Sequence, residues 1–237
     1  MTTKMKNKSV LIIVIMMSFT YSLKAQFDLR ASGGLNIVSL SNDYSGGTKI
    51  NGDAYKTEVK ARGGFNLGGS LTFGNRLYIS PGFYWTSVNL NIVTESTNLV
   101  DVKSYENSPT VNMISVPLHV GIRFINPMKE NLINARLFIG ITGSHVVAVH
   151  DAGYTYTDAS GKEVSVIHSK DDYENMITSF DMGLGVDIGP FFADGGYKIG
   201  LSTIFDEPGN NIKANMFYLN VGVRFSFFTE EDSATSF

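Results

Sequence analysis

The sequence predicts an all-β fold, an eight-stranded antiparallel up-and-down transmembrane β-barrel preceded by a signal peptide. Three observations predict it. A short apolar leader opens the chain, eight later segments alternate apolar and polar residues, and the connections between them are by turns long and tight. The resulting division is a signal peptide over 1–25, a barrel over 26–228 and an acidic tail over 229–237.

In the leader, Lys4, Lys6 and Lys8 form a basic region and an apolar run from Val10 to Leu23 follows it. The run is about 14 residues long, which suits a signal peptide and falls short of the roughly 20 that a spanning helix needs. Ala25-Gln26 is the expected cleavage junction, although Leu23 stands where a small residue is more usual. An uncleaved anchor is the alternative reading. The sequence has no cysteine, which excludes a lipidated-cysteine anchor, a disulfide framework and a thiolate metal site.

The leader holds four of the 19 basic residues and no acid, so the mature chain carries 15 basic residues against 22 acidic, a net charge of −7. With no basic patch or stripe, that balance argues against nucleic acid as a partner. The 212 residues that remain suffice for one domain, and no Pro- or Ser-rich linker divides them. The chain is rich in Gly (24), Phe (16) and Tyr (11). No apolar run after the leader reaches spanning length. A membrane crossing must therefore be made by strands closed into a barrel, which leave no backbone group unpaired in lipid.

The alternating segments lie near 27–40, 57–74, 76–94, 110–125, 134–150, 176–189, 191–205 and 214–228. In the last, Phe217, Leu219, Val221, Val223, Phe225 and Phe227 share one face, and Tyr218, Asn220, Gly222, Arg224 and Ser226 the other. The sixth sets Met182, Leu184, Val186 and Ile188 against Asp181, Gly183, Gly185 and Asp187, and the fourth sets Ile114, Val116, Leu118, Val120 and Ile122 against Ser115, His119, Gly121 and Arg123. The second places Phe65, Leu67, Leu71 and Phe73 opposite Lys60, Arg62, Asn66, Ser70 and Thr72. Such faces reach the roughly 9–11 tilted residues that a bilayer crossing needs.

Long polar links are expected at 41–56, 95–109, 151–175 and 206–213, and short ones at Gly74-Asn75, 126–133 and Gly189-Pro190. That asymmetry is the pattern of an outer-membrane barrel with long loops outside and turns in the periplasm. A soluble, lipocalin-like barrel is the structural rival, with the same alternation turned inside out. The leader, the loop asymmetry and the glycines on the charged face favour the membrane form, because a lumen of eight strands is narrow and filled by side chains. Phe27, Phe73, Tyr78, Phe124, Phe191 and Phe205 fall near strand ends, where aromatic girdles form, and Phe83 and Trp85 fall on the lipid face.

These features together resemble the PorT-like outer-membrane β-barrel family of the Bacteroidota. The residues that carry the resemblance are Lys24-Ala25-Gln26, Gly33-Gly34-Leu35-Asn36, Leu77 to Tyr84, Ile114-Ser115-Val116-Pro117-Leu118 and Val221-Gly222-Val223-Arg224-Phe225. Gly82 is a departure, since similar proteins often have Glu after the proline. The resemblance implies an outer-membrane barrel, and its best-known relatives assist type IX protein secretion.

On this reading the lumen charge network comprises Asp28, Arg30, Lys60, Arg62, His119, Arg123, Arg136, Asp181, Asp187, Asp194, Lys198 and Arg224. Charges in a confined interior persist when paired and hydrogen-bonded, so the expectation is a salt-bridge plug rather than a permeation path. No catalytic, cofactor or metal site is expected. His145, next to Ser144, is the only histidine suggestively placed for lipid-modifying chemistry, and it lacks the accompanying constellation. His150-Asp151 and His168 with Asp171 and Asp172 lack ligand spacing. The link at 151–175 reads as a hairpin turning at Asp158-Ala159-Ser160-Gly161.

The expected role is thus a non-enzymatic, structural or protein-binding component of the bacterial outer membrane, with a secretion accessory factor among the candidates. Its partners would be outer-membrane lipid and a protein met through extracellular loops or periplasmic turns. A small-solute channel of porin-like type and a lipid-modifying enzyme are the alternatives.

Overall fold

The structure is a computed structural model that describes residues 27–40, 48–50, 53–96, 104–125, 133–150, 153–157, 163–166, 169–204 and 213–227. The predicted leader, the tail after 228, the 126–132 link and Phe205 lie outside the described residues. In chain order the strands are β1 (Phe27–Leu40), β2 (Thr48–Ile50), β3 (Asp53–Phe73), β4 (Leu77–Ser96), β5 (Ser104–Asn107), β6 (Thr110–Arg123), β7 (Ile133–His150), β8 (Tyr154–Thr157), β9 (Glu163–Val166), β10 (Met176–Ile188), β11 (Phe191–Gly200) and β12 (Ala214–Phe227).

The eight long strands β1, β3, β4, β6, β7, β10, β11 and β12 each pair antiparallel with their sequence neighbours among the eight, and β1 pairs with β12 to close the barrel. Closure leaves no edge within the barrel wall, the condition for a strand structure to stand in lipid. The register runs without a slip along β1–β12 from Phe27↔Phe227 to Leu40↔Ala214. Two tight turns need a positive φ and have glycine there: Gly74 at +117° and Gly189 at +56°. Gly189-Pro190 is a two-residue turn closed by the Ile188↔Phe191 pair, with glycine at its first position as primed turns prefer.

The outer face is apolar. Leu35, Leu67, Leu184, Val221, Phe83 and Trp85 are all exposed on it. From Phe27 to Ile37 the belt spans about 33 Å along β1, or roughly 25 Å once the strand tilt is included, the height of an outer-membrane apolar band. Phe27 meets Phe73 and Phe227 at ring distances of 5.2 and 5.6 Å, an aromatic cluster at the tight-turn end. The inner face alternates with the outer and is polar and glycine-rich. Tyr78, Phe138 and Tyr218 lie over Gly121, Gly183 and Gly196, their cross-strand partners. A Cβ at each of these glycines would stand 2.4 Å from an atom of the aromatic side chain above it, so the glycines make room for aromatic filling of a narrow lumen.

The links at 41–56 and 95–109 depart from their expected form. They hold β2, β5 and the first residues of β3. The β3–β4 pairing continues to Tyr55↔Ser96, and β2 and β5 pair on its two sides. The result is a four-stranded sheet, β2-β3-β4-β5, that continues the wall beyond the barrel at the long-connection end. Their sequence has little apolar alternation, so pairing defines these strands where burial does not. The 151–175 link contains the expected hairpin, β8 paired with β9 in the register Tyr154↔Val166, and a short 3-10 turn at Lys170–Asp172 capped reciprocally by Ser169 and Asp172.

Candidate functional site

The inward positions of the strands arrange the lumen in tiers. At the tight-turn end sits a buried lattice of arginines and aspartates. Asp187 is its hub: Arg30 donates to both carboxylate oxygens at 3.1 Å, Arg224 Nη1 donates at 3.1 Å, and Arg136 Nε lies 3.3 Å away. Asp28 pairs with Arg123 and Asp194 with Arg136. Arg30 and Arg136 both lie over the Phe192 ring, at 4.9 and 5.3 Å, and Arg123 lies 5.1 Å from that of Tyr78.

Two of these arginines also tie down the turns. Arg123 Nη1 donates to the carbonyls of Gly74 and Asn75, at 2.8 and 3.1 Å. Arg224 Nη2 donates to the carbonyl of Gly189 at 3.0 Å. The charge lattice therefore ties the surrounding strands and the two turns beneath them into one network. Paired charges with further hydrogen bonds are the form in which buried ions persist.

A second cluster lies toward the middle. Asp181 accepts hydrogen bonds from Thr142 at 2.5 Å and Ser179 at 3.1 Å, stands 3.0 Å from His119 Nε2 and is 3.6 Å from Lys198 Nζ. His119 also lies against Phe138, ring centres 4.9 Å apart. Farther toward the long-connection end a hydroxyl ladder crosses three strands, Thr86 to Ser115 at 3.1 Å and Ser115 to Ser144 at 2.8 Å. Beyond it the inner face becomes apolar: Val38, Val88, Leu90, Val111, Met113, Val146 and Met216 pack together under Tyr173 and Ile204. Glu174 N–H donates to the Ile204 carbonyl at 2.8 Å and joins the two covering segments.

Of the twelve expected lumen charges, Asp28, Arg30, Arg123, Arg136, Asp187, Asp194 and Arg224 meet in the first cluster and His119, Asp181 and Lys198 in the second. Arg62 does not join them. It is exposed, within the interval between Ala61 and Phe65 where β3 bulges against β4. The side chain of Lys60 lies outside the described residues. Sequence reasoning missed the hydroxyl ladder and the apolar tier. The signal for the latter is visible on β1, where inward positions run Asp28, Arg30, Ser32, Gly34, Asn36 and then Val38.

His145 is exposed and its Nδ1 lies 2.8 Å from the Asn175 carbonyl. Ser144 is buried on the opposite face, as adjacent strand residues must be. The two cannot act as a nucleophile and base pair. Among the described residues no group of His, Asp or Glu is arranged to hold a metal ion.

A family model described as outer membrane protein beta-barrel domain matches residues 19–206. None of the curated proteins compared with the chain matches it. Among solved structures the chain is similar to the outer membrane protein OprG from Pseudomonas aeruginosa, at 11% identity and a TM-score of 0.46, covering 86% of this chain and 97% of that one. It is also similar to Neisserial surface protein A, at 14% identity and a TM-score of 0.44, covering 85% and 97%. Ail, the attachment invasion locus protein of Yersinia pestis, gives 16% identity and a TM-score of 0.39, covering 84% and 98%. The family match spans most of the chain and agrees with the closed eight-stranded topology and apolar outer face. The chain belongs to the outer membrane protein beta-barrel domain family, and its location is the bacterial outer membrane.

Proposed function

We propose that the chain is a non-enzymatic barrel that binds a protein partner on the sheet raised beyond its mouth, with the tight turns in the periplasm and the long connections outside. The observation that carries this reading is the continuation of β3 and β4 past the barrel wall, flanked by β2 and β5. A barrel needs no such sheet to stand in lipid. β2 and β5 are its edges, and an edge strand presents unpaired N–H and C=O groups to which another chain adds by strand pairing. The PorT-like resemblance makes a secretion assembly the expected setting. The arginine–aspartate lattice across the tight-turn end weighs against the channel reading, and the opposed faces of Ser144 and His145 weigh against the enzyme reading.

The test is to purify the tagged full chain from its own outer membrane in mild detergent and weigh what accompanies it. A stoichiometric protein is expected. Replacing Tyr105 and Glu106 of β5 by proline removes two strand N–H groups and is expected to release that protein, while the unboiled chain keeps its folded gel mobility. A chain that emerges alone, or a partner indifferent to the β5 change, would sink the reading.

A further inference from the structure

We infer that the outer half of the lumen binds a slim monoanionic amphiphile, a single-chain carboxylate of the fatty-acid type, with its head at Lys198 and its tail among the apolar residues near the mouth. The inference does not rest on the protein-binding reading.

The lining changes character in the order such a ligand requires. Outer-membrane barrels have polar interiors as a rule, yet here Val88, Leu90, Val111, Met113, Val146 and Met216 turn inward at one end. They are more than filling, because a cavity of about 50 Å³ remains against Val88, Leu90, Val111, Met113 and Met216. A second cavity of about 50 Å³ lies deeper, against Tyr84, His119, Lys198, Tyr218 and Asn220. Thr86, Lys198 and Met216 line both, so the two adjoin. One water needs roughly 10–15 Å³. Joined, the two spaces suit an unbranched chain with a small head group, and the largely apolar lining of the outer one offers a sugar's hydroxyls few partners.

Charge selects the sign of the head. Among the described residues the lumen holds five basic side chains, Arg30, Arg123, Arg136, Lys198 and Arg224, against four acidic ones, Asp28, Asp181, Asp187 and Asp194. Among these residues the basic side chains outnumber the acidic by one, in a place where an uncompensated charge is costly. Lys198 is the cation held most loosely. Among the described residues its ion pair is to Asp181 at 3.6 Å, a carboxylate already engaged by Thr142, Ser179 and His119, and its Nζ donates one long hydrogen bond to Thr142 Oγ1 at 3.4 Å. Its Nζ lies 5.6 Å from the Tyr218 ring, and the Tyr218 hydroxyl is buried on the same cavity with no hydrogen-bond partner among the described residues. An ammonium and a phenol O–H are the donors that a carboxylate takes. Asp194, also on this cavity, is neutralised by Arg136.

The experiment titrates octanoate into the full chain in lipid nanodiscs, followed by calorimetry, with hexanoate, acetate and octylamine as comparisons. Saturable binding near one per chain is expected for octanoate, weaker by about fourfold for each methylene removed and absent for acetate. Octylamine, with the same tail and the opposite charge, is expected not to saturate. Lys198→Met should weaken octanoate by about tenfold or more, and Lys198→Arg should restore most of it. Equal, unsaturating uptake of octanoate and octylamine would mean partition into lipid alone and overturn the proposal. So would a folded Lys198→Met chain that titrates like the parent. If Lys198→Met loses its folded gel mobility, the octanoate–octylamine contrast on the unaltered chain still decides.

Discussion

Asp187→Ala is expected to destabilise the barrel by about 3–5 kcal/mol, the cost of breaking a buried ion cluster by removing one partner. The carboxylate is almost wholly buried and serves Arg30, Arg224 and Arg136 together. Without it three guanidinium groups face one another with Asp28 and Asp194 as the nearby carboxylates, each already paired. The Gly189 turn suffers as well, because Arg224 loses the carboxylate that aims it at the turn carbonyl. The denaturant midpoint of the chain folded into lipid vesicles measures the loss, and the unboiled gel band should weaken with it. Arg62→Ala is the matched control. Arg62 is exposed outside the lattice, so its change is expected within about 0.5 kcal/mol. An equal effect at both positions would show that the lattice does not hold the lumen together.

Val221→Arg is the second large effect, about 2–4 kcal/mol for a cation placed at the bilayer midplane on a barrel's lipid face. Val221 points outward with 59% of its surface exposed, between Phe217 and Phe225 and opposite Gly33 and Ala193. In a soluble barrel the same exposure would make arginine nearly neutral. The magnitude of this change thus separates the two architectures that share the sequence's alternation. Urea unfolding from vesicles of matched thickness reads it directly.

The barrel strands were legible in the sequence because one period, two residues, governs both pairing and facing. Phe217 to Phe227 and Met182 to Ile188 fall outward as their alternation predicts. Most of the charge lattice followed from the same parity. Arg62 did not: it lies within the β-bulge between Ala61 and Phe65, where β3 carries one residue more than β4, and its side chain is exposed there although its β1 partner Val38 is buried. The sheet beyond the mouth is not legible for a different reason. Thr48–Ile50 and Ser104–Asn107 are set by backbone pairing to β3 and β4 and carry no apolar rhythm of their own. The hydroxyl ladder and the apolar tier were hidden because they join Thr86, Ser115 and Ser144, or Val38, Val88 and Val146, across strands whose relative register one sequence does not state.

The central claim, that the apolar face of this barrel meets lipid and the charged face is enclosed, can be tested at a single residue. The chain has one tryptophan. Trp85 lies on the outer face of β4, 41% exposed, beside Leu67 and Ile114. With the protein folded into vesicles, lipids brominated on their acyl chains are expected to quench its fluorescence strongly, and aqueous acrylamide to leave it nearly unchanged. Strong quenching by acrylamide with none from the brominated lipid would contradict the account, since it would put the apolar face of the barrel in water.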